Sequence, residues 1–236
     1  VFPLADENIG RRIRPVVNYA LIAANVLVHL ALTVALAPAA AFPFFVEWGV
    51  QPREIVRLVE WETLLSSMFL HGSWAHLLGN MLYLHVFGDN IEDAMGHGRY
   101  LAFFLLTGLA ASLAQIAIDP ASGVPLIGAS GAVSGVLGAY VVLFPHGKVR
   151  TLILFVFVRL LPAWVLLGLW FVMQLASAAT GFGRPGAGGV AFMAHVGGFV
   201  AGALLARIFA NPTEVARQNA VREQHRRLEA MRQGAI

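Results

Sequence analysis

Residues 16–37 read VVNYALIAANVLVHLALTVALA, a run with no charged side chain. About 20 such residues, wound as a helix, cross the hydrocarbon core of a bilayer. Comparable blocks recur at roughly 74–94, 99–118, 128–144, 160–179 and 190–210. In lipid every backbone N–H and C=O must be satisfied internally, so blocks of this kind are expected as helices. The expected fold is an all-α membrane protein with six transmembrane helices. Charged residues make up only 12% of the chain, about half the share of a soluble domain.

Cations set the expected orientation, because Lys and Arg collect in cytoplasmic loops. Arg11, Arg12 and Arg14 precede the first block, and His146, Lys148 and Arg150 follow the fourth. Arg217, Arg222, Arg226, Arg227 and Arg232 follow the sixth, whereas 119–127 has only Asp119 and 180–189 only Arg184. Both termini are therefore expected to be cytoplasmic. The net charge of +3 follows this loop pattern, so no nucleic-acid partner is expected. The chain has no cysteine, which excludes disulfides and thiolate metal sites. No cleavable signal peptide is expected, since the first block runs on without a clear cleavage site.

Three segments flank or interrupt the six-span domain of 16–210. Residues 1–15 form a cytoplasmic N-terminal segment. The outer loop 38–73 holds Phe42, Phe44, Phe45, Trp48 and Trp61, an aromatic content suited to the headgroup layer. Within 151–179, too long for one span, Arg159 and Pro162 divide an interfacial start from the fifth span. The basic tail 211–236 reads as a helix with Pro212 in its first turn, its weak apolar stripe fitting a solvated helix better than one on lipid.

With that orientation, His76 and Asn80, Ser130, and His195 all lie near the outer ends of the second, fourth and sixth spans. Polar groups in hydrocarbon are costly unless paired or wetted, so a shared, water-containing pocket is expected. Gly128, Gly131, Gly135 and Gly138 make one stripe, and Ala194, Gly198, Gly202 and Ala206 another. Such small-residue stripes let membrane helices touch backbone to backbone, which would bring Ser130 to His195. A neutral imidazole beside a serine hydroxyl can take its proton. No acid lies near either residue in sequence, so the expected catalytic pair is a dyad. His76, Asn80 and the Ser130 N–H are candidate donors to an oxyanion.

HGSWAHLLGN (71–80), GASG (128–131) and AHVGGFVAG (194–202) together resemble the rhomboid family of intramembrane serine proteases, over most of residues 16–210. The resemblance implies a six-span rhomboid-like bundle with Ser130 as nucleophile, His195 as base, and His76 and Asn80 assisting the oxyanion. It also implies a structural role for Gly88, Glu92 and Gly96. Two departures stand out. Trp61-Glu62 replaces the Trp-Arg pair frequent in the first loop. Ser134 replaces an aromatic residue that in some members stacks on the base, leaving the positioning of His195 unassigned.

Other readings are weaker. The chain has no HExxH for zinc, and GASGA lacks the last glycine of a GxSxG elbow. A metal held by His71, His76 and His195 would lack an anionic ligand, so neither metal nor cofactor is expected. His29, Asn25 and His85 are assigned to structure, Ser134 to packing and His71 to a local bond. Glu92 is expected to tie down the loop that follows it. The expected function is cleavage of transmembrane protein substrates within the bilayer through an acyl-enzyme. The alternative is an inactive rhomboid-like protein that binds or escorts membrane clients. Short loops point to a prokaryotic cell membrane.

Overall fold

The computed structural model describes residues 2–153, 156–181 and 191–232. Most of the loop 180–189, whose single arginine entered the orientation argument, lies outside them. All six apolar blocks are helical: α1 (Val16–Ala35), α5 (Trp74–Met95), α6 (His97–Ile118), α7 (Ser130–Leu143), α8 (Ala163–Gly181) and α9 (Phe192–Phe209). Between α1 and α5 the chain forms three short helices, α2 (Pro38–Trp48), α3 (Pro52–Val56) and α4 (Thr63–Ser66), and a 3-10 turn at Ser67–Phe69. A last helix, α10 (Pro212–Arg232), carries the basic tail.

Among the described residues, α1, α6 and α9 are long and apolar enough to cross a membrane, and α7 and α8 are shorter apolar helices. Helix α5 has the length, but its last turns carry Asp89, Glu92 and Asp93. Helix α7 has 14 residues, about 21 Å at 1.5 Å per residue. It falls short of the roughly 30 Å hydrocarbon thickness.

The all-α expectation needs correction. Strands β1 (Phe2–Asp6), β2 (Lys148–Ile153) and β3 (Phe157–Pro162) form one antiparallel sheet in the order β1-β2-β3. Val, Thr, Ile and Phe in KVRTLI and FVRLLP are residues that suit a pleated strand, and the interfacial start expected near 151–159 is this hairpin. The N-terminal segment supplies the third strand, with Phe2 opposite Leu152 and Asp6 opposite Val149.

A second correction concerns the tail. Helix α10 begins at an Asn211 cap, whose Oδ1 accepts from the Thr213 N–H at 3.0 Å. Instead of being solvated, it docks on the end of α5: Gln218 and Arg222 are fully buried. Gln218 Nε2 and Arg217 donate to Asp93, whose other oxygen accepts the Arg12 and Ile13 N–H groups at 2.9 Å. Arg222 donates to Asn90 and lies 4.3 Å from the centre of the Phe144 ring, a cation–π contact. Both terminal segments thus meet at Asp93, at one end of the bundle.

Asp6 sits in the same junction. Its Oδ2 accepts from Asn90 Nδ2 (2.6 Å) and the Tyr140 hydroxyl (2.8 Å), while Oδ1 is buried without a partner among the described residues. Burial, and then the neighbouring Asp89 carboxylate, push the Asp6 carboxyl up to about 7. A group whose folded pKa exceeds its unfolded value of about 3.9 destabilises the fold increasingly as pH rises between the two. Asn at this position keeps an oxygen for both donors and loses the charge. Asp6→Asn is therefore expected to flatten the decline in thermal stability between pH 4 and pH 7 and to raise the Tm at pH 8. An unchanged pH slope in detergent-solubilised protein would contradict this.

Candidate active site

The two small-residue stripes meet. Helix α7 makes its most extensive contacts with α9 and also packs against α6. A Cβ placed on Gly198 would lie 2.1 Å from the Gly131 carbonyl oxygen, and one on Gly202 2.0 Å from that of Gly135. On the other helix, a Cβ on Gly138 would lie 2.0 Å from the Phe199 oxygen. Real Cβ atoms cannot approach so closely, so only glycine allows this separation of α7 from α9. The α6 side of α7 is equally tight, since Gly131 faces Ala111 and Gly135 faces Thr107.

Ser130 is the first residue of α7, where the leading N–H groups have no ladder partner. Gly128 precedes it at φ +120°, a conformation that side chains rarely adopt. A Cβ there would strike His76 Nε2 at 2.6 Å and pass 3.7 Å from Ser130 Oγ. The bare glycine thus lets the His76 ring and the serine hydroxyl converge. The Gly128 N–H donates to the Ser67 carbonyl at 2.9 Å, and Val50 and Leu126 exchange N–H···O bonds of 3.0 and 2.8 Å. Through these bonds the 38–73 segment holds the approach to α7.

A cavity of about 30 Å³ adjoins Ser130 and is lined also by Ser67, Ser112, Gly131 and Ala194. It is large enough for water. His195 follows Ala194 in the first turns of α9, half-buried. Its Nδ1 lies 2.7 Å from Gln174 Oε1 on α8. An amide oxygen can only accept, so Nδ1 carries the hydrogen and Nε2 keeps its lone pair. Among the described residues Ser130 Oγ has no hydrogen-bond partner, so the serine and His195 stand on packed helices without a direct bond. Catalytic hydrogen bonds are often long before substrate binds.

Asn80 and His76 lie one turn apart on α5. Asn80 Nδ2 donates to His71 Nε2 at 3.0 Å, and among the described residues His71 Nδ1 is buried without a hydrogen-bond partner. Burial, with His76 and then His29 nearby, pushes His71 down to about 4, so it is neutral and able to accept. The His71 ring meets His76 edge-on at 4.9 Å, and His29 meets Trp74 at 4.6 Å. Ser73 caps α5 by accepting the His76 N–H at 3.2 Å.

A sequence model of the Rhomboid domain matches residues 58–212, about two thirds of the chain. The chain belongs to the rhomboid family. It is 33% identical over 164 residues to Rhomboid protein 1, mitochondrial, of Saccharomyces cerevisiae, covering 66% of this chain and 44% of that one. It is 37% identical over 94 residues to Rhomboid protease GluP of Bacillus subtilis (40% and 18%). Rhomboid-like protein 11, chloroplastic, of Arabidopsis thaliana is 29% identical over 150 residues (61% and 51%). The chain spans about half or less of the length of these relatives. As a rhomboid it is an integral membrane protein. Mitochondrial and chloroplastic names among its relatives leave the expectation of a prokaryotic membrane without support.

Other motif residues of this rhomboid gather at the opposite end of the bundle. Glu92 is fully buried and accepts the Val17 and Asn18 N–H groups at 3.0 and 2.7 Å, and faces His97 Nδ1 at 2.5 Å. It therefore caps α1, which has no side-chain cap of its own, as well as holding the start of α6. A Cβ on Gly88 would strike Asn18 Oδ1 and the Tyr100 hydroxyl, which are bonded to each other at 2.8 Å. Gly96 turns the chain between α5 and α6 at φ +79°. Ser134 is buried and donates back to the Ser130 carbonyl at 2.6 Å.

His71, assigned to a local bond, pairs with Asn80 nine residues on, and Gln174, the partner of His195, was not singled out in the sequence. The signal for Gln174 was present: it is the lone amide in the apolar run AWVLLGLWFVMQLASAATG, and polar side chains in such runs default to function.

Proposed function

We propose that this rhomboid is an intramembrane serine endopeptidase that cuts transmembrane segments of other proteins, with both its termini on the cytoplasmic side. The observation that supports the reading is the meeting of α7 and α9 through glycine, with Ser130 at the cavity and His195 in the first turns of the adjoining helix. In the cycle, Ser130 Oγ attacks the scissile carbonyl while His195 Nε2 takes its proton. His195 then gives that proton to the leaving amine, and an acyl-enzyme remains. Water deacylates it, with His195 again the base.

The oxyanion would be met by His76, by Asn80 and by the Ser130 N–H at the positive end of α7. The short α7 supports this placement, since a helix of about 21 Å starts Ser130 below one face of the hydrocarbon. A substrate helix must unwind there, because its carbonyls are otherwise hydrogen-bonded. Small or helix-breaking residues are therefore expected at the cut.

The test is a purified reporter with a single transmembrane segment, reconstituted in liposomes, its products mapped by mass. The expected result is one cut inside the segment, near the face from which α5, α7 and α9 enter. Asn80→Ala is expected to lower kcat by about 10²–10³-fold with little change in KM. Cleavage confined to exposed loops, or full kcat in Asn80→Ala, would contradict the respective assignment.

A further inference from the structure

The contact between Gln174 and His195 goes beyond the dyad. Gln174 Oε1 stands 2.7 Å from Nδ1. One helical turn earlier, Trp170 lies with its ring 6.0 Å from the imidazole and tilted by 36°. Phe192 meets the same ring edge-on at 6.5 Å. A hydrogen bond thus fixes the imidazole about its ring plane while two aromatic rings limit its swing. Among the described residues no carboxylate bonds to His195, and His76 of α5 is the titratable group that acts on it.

We propose that Gln174 is the positioning residue for His195: it holds the Nδ1–H tautomer and leaves Nε2 free to take the proton of Ser130. The inference rests on the protease reading above. Gln174 does what the carboxylate of a Ser-His-Asp triad does for orientation and tautomer, without bringing a charge into the apolar bundle. A neutral amide selects the tautomer through its acceptor oxygen and adds no full charge to steady the imidazolium. It also fills the place left open by Ser134, since the contact to the base comes from α8 instead of from α7.

Three proteins in liposomes test it: wild type, Gln174→Leu and Gln174→Glu, with thermal stability measured for each. Leu keeps the bulk and loses the acceptor. It is expected to lower kcat by about 10- to 100-fold with KM within about twofold, because a free imidazole samples both tautomers. Glu restores the acceptor and adds a charge that favours imidazolium. It is expected to recover most of the rate and to move the acid limb of the kcat profile to higher pH by about one unit.

As a readout independent of turnover, ¹⁵N imidazole shifts of His195 should report the Nδ1–H tautomer in wild type and a mixture in Gln174→Leu. Wild-type kcat in Gln174→Leu, or the same tautomer in both proteins, would overturn the proposal while leaving the dyad intact. Absence of cleavage by wild type would overturn the protease reading and this inference together.

Discussion

Ser130→Ala will abolish cleavage of a membrane-embedded reporter, with a fall in kcat of at least about 10⁴-fold. The loss should be chemical and not structural. Ser130 Oγ bonds to nothing among the described residues, and the main-chain carbonyl that accepts from Ser134 is untouched. Alanine is also the better helix former at the start of α7. The variant should therefore melt with wild-type protein. Because nucleophile and base act as a unit, the double variant Ser130→Ala/His195→Ala should be no slower than either single variant. Additive losses would mean that the two side chains work independently, and wild-type turnover by Ser130→Ala would remove the serine from the reaction.

Gly202→Val should be the most damaging substitution away from the reacting groups. Its Cβ would lie 2.0 Å from the Gly135 oxygen and 2.6 Å from the Gly135 carbonyl carbon and Cα. Those atoms are main chain, so no rotamer change relieves the clash and α9 must move off α7. Overpacking of this kind costs about 1–3 kcal/mol and sometimes more. Activity should fall further than stability alone requires, since Ser130 and His195 ride on these two helices. A misplacement of about 1 Å can cost about 10²-fold in rate. Gly168→Ala is the control: among the described residues nothing lies within 4 Å of a Cβ there, and alanine in that helix should be neutral or stabilising by about 0.5–1 kcal/mol. Equal behaviour of the two variants would show that the α7–α9 contact does not govern the site.

What was legible in the sequence follows from the range of the forces involved. The six helices could be read because bilayer insertion acts on contiguous runs, and the glycine stripes because close packing repeats every turn. The sheet could not, since LILFVFV at 152–158 continues an apolar block whether it is strand or helix. The buried Arg222 looked solvated amid a basic tail, and only the fold supplies Phe144 and Asn90 beside it. Glu92 was expected to hold the next loop. Its bonds to Val17 and Asn18 join elements far apart in sequence, which no local pattern encodes. His71 and Asn80 are separated by a bend ahead of α5, so helical spacing does not relate them. Gln174 is a lone amide in an apolar run, and its partner lies on the next helix, which no local pattern reveals.

Covalent labelling with a fluorophosphonate, followed by mass mapping of the adduct, tests the central claim most directly. The account predicts a single adduct on Ser130 in wild-type protein, lost in His195→Ala because the hydroxyl is then no longer activated. No adduct, or an adduct on Ser112 in the same cavity, would contradict it.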